Sequence, residues 1–309
     1  MGQKDLASKK LEIRPDIYAD IINALLYEGR QVLKPQNLQS AAVESLYMGD
    51  DGILRSQYND VSKYELYHGR IRMRYTLENQ TVPDYRMLLR KAGYEGAVYR
   101  QQYDGGATYP LITLVLYWGK KTWHPVPDIY SYFGKRNLPE PVWQYIDNTA
   151  LRVFHMRRLP ETVRKRFRSD MRIIVDYLAE GSSYEPIGQP IRYLEDVLRL
   201  LYELTGDIGF VSRMGELQER QKKGEKITMC EVIDKFEARG REQGIKIGIK
   251  KGRKFATTNC AKTFTSISIS QGQTQQYIME MLQRCFGLDE EKARELYREN
   301  VDNILRKGM

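Results

Sequence analysis

Asp60, in the run QYNDVSKY, and Glu78 and Gln80, which close the run IRMRYTLENQ at 71–80, are residue types suited to cleaving a phosphodiester. That reaction needs a hydroxide, neutralised charge and in-line geometry. A Mg2+ ion held by two carboxylates supplies all three and keeps positions for water and phosphate. The two-residue spacing of Glu78 and Gln80 puts both on one face of a strand. Asn79, between them, offers its backbone carbonyl to the metal. Gln80 is neutral and cannot act as a base; it can orient a water or a metal-bound group by hydrogen bonds. An Asp followed by a Glu at this separation also arises by chance, and a surface ion-pair network with Arg72 and Arg74 is the competing reading.

Such a centre needs strands to present it. Residues 71–80 alternate, with Ile71, Met73, Tyr75 and Leu77 on one face and Arg72, Arg74, Thr76, Glu78 and Gln80 on the other, the pattern of a half-buried strand. PLITLVLY at 110–117 is a continuous run of branched apolar residues, as in a central strand covered on both sides. Between them a helix is expected over 84–103, capped by Asp84, with Arg86, Arg90 and Arg100 on one face over small residues. Before them, Ile17, Ile21, Ile22, Leu25 and Leu26 form the stripe of a helix over 16–28, with Asp16 as its cap. Helix, strands, helix and buried strand together predict an α/β sandwich whose last strand pairs in parallel.

After residue 135 the periodicity is helical, with stripes at Met171, Ile174 and Leu178 and at Leu194, Val197, Leu198 and Leu201. A basic cluster, Arg157, Arg158, Arg164, Lys165, Arg166 and Arg168, is either a phosphate-binding surface or a solvated helix face. Gly240, Gly244, Gly248 and Gly252 recur every fourth residue among charged neighbours, which suits a helix–helix interface or a frayed helix equally. Residues 255–276, rich in Thr, Ser and Gln, read as a linker or as poorly packed structure, and 277–305 as two short helices. The domains expected are a core at 12–135, a helical extension at 136–222 and a charged, glycine-spaced helix with a small helical tail at 223–309.

The net charge of +9 favours an anionic partner such as nucleic acid. Cys230, Cys260 and Cys285 are odd in number and form no C-x-x-C pair, which argues against a disulfide framework or a thiolate zinc site. The charged start, MGQKDLASKKLEIRP, lacks the apolar core of a secretion signal. Leu6 stands where a myristoylation signal has Ser or Thr. The expected location is the cytoplasm, with no membrane span. His68, His124 and His155 are not spaced as a zinc site.

DIYADIINALLYEG, NDVSKY, TLENQTVPDYRM, LLRKAGYEGAVYRQQ and YPLITLVLYWG, in this order, resemble the Rpn/YhgA-like family of recombination-promoting nucleases and transposase-related proteins, within the PD-(D/E)XK superfamily. The likeness covers most of residues 12–180, and MCEVIDKFEARGREQGIKIGIKKG is similar to that family's glycine-spaced tail. The resemblance implies a PD-(D/E)XK restriction-endonuclease-like core with a mostly helical C-terminal extension. It implies a DNA endonuclease dependent on Mg2+, with Mn2+ as a substitute. By position, Asp60 and Glu78 match the acidic metal ligands, Asn79 supplies its carbonyl, and Gln80 stands where the superfamily usually has Lys. Arg100 and Gln102 match a Tyr-Arg-x-Gln signature and, with Arg164, Lys165 and Arg166, are the expected DNA contacts. Asp20 and Glu44 are further acidic positions. Two other readings stay open: a catalytically silent DNA-binding protein on the same fold, and a structural protein that self-associates into a homo-oligomer through the glycine-spaced helix.

Overall fold

The computed structural model describes the backbone of residues 3–42, 44–48, 54–58, 60–134 and 138–307. It describes the side chains among these except at 44–48, 54–58, 234–247, 250, 253–254 and 303–307. Residues Met1–Val232 form one compact unit and Ile233–Met309 a second.

The first unit is built on a mixed five-stranded sheet. Its strands are β1 (Leu38–Ser40), β4 (Val61–Tyr67), β5 (Arg70–Gln80), β6 (Leu111–Tyr117) and β7 (Val153–His155), which lie side by side in that order. β2 (Glu44–Met48) and β3 (Leu54–Tyr58) form a separate antiparallel pair. β4 and β5 are a tight hairpin. His68 and Gly69 at its tip have φ of 48° and 74°, the left-handed pair that a two-residue turn requires. The hairpin sets Val61 opposite Leu77, and hence Asp60 opposite Glu78. From β5 the chain crosses through helix α3 (Met87–Asp104) to β6, which pairs with β5 in parallel, Glu78 beside Val115 and Gln80 beside Tyr117. The predicted parallel pairing is present. β7 adds a further parallel strand from within the region expected to be helical.

Helices α1 (Gln3–Glu12) and α2 (Pro15–Leu26) precede the sheet. Pro15, with no N–H to leave unpaired, opens α2 one residue before the expected start. Asp16 does not cap it; its carboxylate accepts from Arg192 Nη1 and Tyr193 Oη. Ile17, Tyr18, Ile21 and Ile22 are fully buried, and Tyr18 Oη donates to the Tyr75 carbonyl of β5 at 2.8 Å. Helices Met171–Glu180 and Leu194–Thr205 carry the predicted stripes, with Met171, Ile174, Val197, Leu198 and Leu201 buried. The chain is thus an α/β protein: a mixed five-stranded sheet followed by a mostly helical C-terminal region.

Two expectations need correction. The half-buried character of β5 holds only for Arg70–Met73; from Arg74 to Gln80 every residue is buried, because helices and loops cover both faces. Residues 255–276 are not a linker. The helix Met229–Ser270 runs through most of them. In the second unit Ala261, Thr265 and Ser268 are buried, and Ala261 joins Ile278 and Leu282 of helix Gln275–Phe286 with Ala293 and Leu296 of helix Glu290–Lys307 in one core. The small and hydroxylated side chains that looked like linker allow this close helix packing; Thr265 Oγ1 returns its hydrogen bond to the Ala261 carbonyl. In the glycine-spaced segment, the surroundings of Gly240 and Gly244 lie outside the described side chains. A Cβ added at Gly248 or Gly252 would meet nothing within 4 Å. Among the described residues no helix is long and apolar enough to cross a membrane.

Candidate metal centre

The hairpin register brings Asp60 and Glu78 to one edge, at the carboxyl end of β5. Trp118 N–H donates to the Gln80 carbonyl at 2.7 Å, so the Gln80 backbone faces β6. Backbone polar groups alternate along a strand, so those of Asn79 face the opposite edge, toward Asp60. The Asn79 N–H donates to Asp60 Oδ2 at 2.5 Å. The N–H and C=O of one residue point the same way, so the Asn79 carbonyl opens on this edge as well.

The side chains divide between the two faces of β5. Glu78 and Gln80 lie under α3, where Arg90 serves both: its Nη2 donates to Glu78 Oε2 at 2.9 Å. The orientation of the Gln80 amide that satisfies both of its polar atoms puts Oε1 2.8 Å from the same nitrogen. Arg90 also reaches Asp84 and stacks against Tyr94. Of the three arginines expected on one face of α3, Arg90 turns inward to Glu78 while Arg86 and Arg100 are exposed. On the other face, Asn79 Nδ2 donates to Glu12 Oε2 at 2.7 Å, and Asn79 Oδ1 accepts from Trp118 Nε1 at 2.6 Å.

Helix α1 brings Lys9 and Glu12, with Asp5 behind Lys9, none of them among the expected site residues. Asp5, Lys9 and Glu12, spaced four and three apart, share one helical face. Lys9 Nζ lies 2.8 Å from Asp60 Oδ1 and 3.2 Å from Asp5 Oδ2. The signal was present as that i, i+4, i+7 spacing in a run read only as a charged terminus.

The electrostatics follow from burial. The Glu78 carboxyl is wholly inaccessible, and its pKa is pushed up to about 8, first by burial and then by the charge of Asp60, against the pull of Arg90. Burial also raises the Asp60 carboxyl, with Lys9 opposing. Glu12 is pushed up to about 8 by burial, opposed by its Asn79 hydrogen bond. Glu78 Oε1 and Glu12 Oε1 are buried without a hydrogen-bond partner. Among the described residues no group of three or more His, Cys, Asp or Glu gathers as a metal cage. The pair Asp60 and Glu78, with the Asn79 carbonyl, is the donor set present. It fits Mg2+, which binds through one or two carboxylates and keeps several waters. The unpartnered Glu78 oxygen is an orphaned buried acceptor that such an ion would satisfy.

The other expected site residues lie elsewhere. The Gln102 Oε1 accepts from Tyr109 N–H at 3.0 Å, at the amino end of β6. Tyr109 lies eight residues before Tyr117, the partner of Gln80, or about 26 Å along the sheet at 3.3 Å per residue. Arg100 is exposed, paired with Asp104 and stacked on Tyr103. Arg164 is buried and held by Asp176 at 2.7 Å and Glu180 at 2.5 Å. This corrects its expected role: it is a fold anchor with no face left for phosphate. Lys165 is exposed and paired with Glu161, and Arg166 is half-buried. Asp20 is buried and accepts from the N–H groups of Arg168 and Ser169. The Glu44 side chain lies outside the described residues. The three cysteines are free.

Comparison of the chain with protein-family models, with curated proteins and with solved structures finds no match.

Proposed function

We propose that this chain is a Mg2+-dependent DNA endonuclease of the PD-(D/E)XK kind, acting in recombination or on mobile elements as its Rpn/YhgA-like motifs imply. The observation that carries the reading is the juxtaposition of a buried carboxylate, Glu78, and a partly buried one, Asp60, at the carboxyl end of β5, with one Glu78 oxygen left unpartnered. The order of elements supports it: two helices, an antiparallel hairpin, a crossover helix and a parallel strand.

When bound, Mg2+ supplies Lewis acidity toward a phosphoryl oxygen and lowers the pKa of a bound water. Asp60, Glu78 and the Asn79 carbonyl are the residues that would hold it. Arg90 fixes Glu78 and Gln80 relative to each other, so the Gln80 amide can orient a water by hydrogen bonding. Gln80 takes no proton and acts only through its hydrogen bonds. Lys9 places a positive charge beside Asp60.

One observation favours the alternative, a nucleic-acid-binding protein that does not cut. Lys9 and Arg90 already pair with Asp60 and Glu78, and a stable ion-pair network has no need of metal. Incubation of the purified protein with plasmid DNA, in Mg2+ or in chelator and beside Glu78→Ala, separates the two. Cutting that needs both metal and Glu78 identifies the enzyme; binding without cutting identifies the alternative.

A further inference from the structure

The carboxyl ends of β6 and β7 carry a charged loop that the carboxylate pair does not use. After Trp118 the chain makes a close return over its own strand. A Cβ at Gly119 would lie 2.2 Å from Tyr117 Oη and 2.7 Å from the Thr81 carbonyl oxygen, so only glycine lets the loop press against the end of β5. Three carbonyls of the return are then tied down. Arg157 Nε donates to that of Trp118 at 2.7 Å, Arg158 Nη2 to that of Lys120 at 3.0 Å, and Tyr117 Oη to that of Lys121 at 2.8 Å. The backbone is thus fixed while the side chains of Lys120, Lys121 and Arg158 remain exposed.

Some cations of the first unit are already neutralised by a neighbour on the same helix. Arg100, Lys165 and Arg172 each have a carboxylate four residues away. Among the described residues, Lys120, Lys121 and Arg158 form no ion pair with any carboxylate. They begin next to the centre, since Trp118 bonds to both Gln80 and Asn79. From the β4 edge at Asp60 to the end of β7 is three inter-strand spacings, about 14 Å in all. That matches about four nucleotide steps at 3.4 Å each. Exposed, unpaired and clustered on a backbone held beside the carboxyl ends of β6 and β7, the three charges suit the phosphates of a strand passing the centre.

We propose that Lys120, Lys121 and Arg158 form a backbone clamp for DNA, which lays the strand across the carboxyl ends of β5, β6 and β7 toward Asp60 and Glu78. The clamp deepens the endonuclease reading and rests on it for the kind of polymer. It replaces the Arg164–Arg166 run as the phosphate-binding surface. It touches phosphates alone and carries no sequence information.

The test measures binding of a short labelled DNA duplex in chelator, across a series of salt concentrations, so that cutting plays no part. Three proteins are compared: the parent, Lys120→Gln/Lys121→Gln, and the same pair with Arg158→Gln. Lys223→Gln/Lys226→Gln, exposed elsewhere on the first unit, is the charge control. The double variant keeps the Arg158 guanidinium that ties the loop, and thermal melting checks that each variant folds. The log–log salt slope should fall by about 0.9 for each phosphate that is no longer neutralised, hence by about 2 in the double variant and by up to about 3 in the triple. The control should keep the parent's slope. A parent slope retained in the folded double variant, or an equal drop in the control, overturns the clamp. So does a parent that binds anionic vesicles but no DNA. A parent that binds through these residues yet never cuts leaves the clamp standing and removes the endonuclease reading. A parent that cuts with an unchanged slope in the variants does the reverse.

Discussion

The Lys9 ammonium lies 2.8 Å from Asp60 Oδ1, where a divalent ion bound to Asp60 and Glu78 would have to compete with it. Removing it should therefore expose the metal preference of the pair. In Lys9→Met, Asp60 is left without its cation, and the metal-free protein should melt lower than the parent. Added Mg2+ should raise the variant's Tm by more than it raises the parent's, through binding to the folded state alone. Titration calorimetry should give tighter Mg2+ binding in the variant. Equal or weaker binding would mean that Asp60 is not a ligand.

Asp60 and Glu78 should behave as one unit. Asp60→Asn and Glu78→Gln should each abolish metal-dependent cutting, and the double variant should be scarcely worse, because either loss breaks the same site. Single-turnover assays on plasmid DNA check this. Independent, multiplicative losses would show two separate roles.

Gln80 divides two possibilities. Gln80→Ala should slow cutting by about 10–100-fold, the usual cost of losing a group that orients a metal ligand or water. Gln80→Lys is not the gain that the usual Lys of the superfamily would suggest. The residue is buried and already accepts from Arg90, so an ammonium there would face a guanidinium. An unpaired buried charge costs about 3 kcal/mol or more. The variant should melt lower and cut less than the parent, and faster cutting would place Gln80 differently from the geometry above.

Glu12 should make stability fall with pH. Its carboxyl is raised from 4.5 to about 8, so the folded state holds a proton that the unfolded state releases. The folded state's advantage is complete below about pH 4.5 and is lost as pH rises toward 8. Glu12→Gln, which keeps an acceptor for Asn79, removes the titration. Measured in chelator, its Tm relative to the parent should rise steadily from pH 5 to pH 8. A constant difference would show that Glu12 does not change its protonation on unfolding.

Gly119→Ala should strain the loop after β6. The new methyl meets the Thr81 backbone and the Tyr117 hydroxyl, and overpacking of this kind costs about 1–3 kcal/mol. Thermal melting reads the loss directly. An unchanged Tm would mean that the loop has room to move.

What could be read from the sequence, and what could not, follows from the range of the interactions. β6 was legible because PLITLVLY is apolar throughout, and β5 because its alternation is regular. Their parallel pairing followed from the helix between them. β7 was invisible: three residues, VFH, carry no period, and only pairing with β6 makes them a strand. The candidate carboxylates stood out by type and spacing, and their burial did not. Arg90 looked like its neighbours Arg86 and Arg100 on a helical wheel; its inward turn depends on Glu78 lying beneath it. Lys9 and Glu12 were missed because they reach the sheet across more than fifty residues of chain. Arg164 was misjudged because its partners, Asp176 and Glu180, lie on a helix still to come in the sequence.

The full burial of β5 from Arg74 to Gln80 has a consequence for how the hairpin chooses its alignment. Sheet register is usually policed by greasy side chains, which a one-residue slip would turn toward water. Both faces here are covered, so hydrophobicity alone discriminates poorly between neighbouring alignments. The discriminating groups are polar: Glu78 has an arginine waiting on one face, and Asn79 has a carboxyl and an indole waiting on the other. A slip by one residue would present Asn79 to the arginine or, in the other direction, Glu78 to the carboxyl, stranding several buried donors and acceptors at about 1–3 kcal/mol each. The residues proposed for chemistry thus double as a lock and key for strand alignment. Substitutions at 78 or 79 should be read for misaligned hairpins before they are read for lost catalysis.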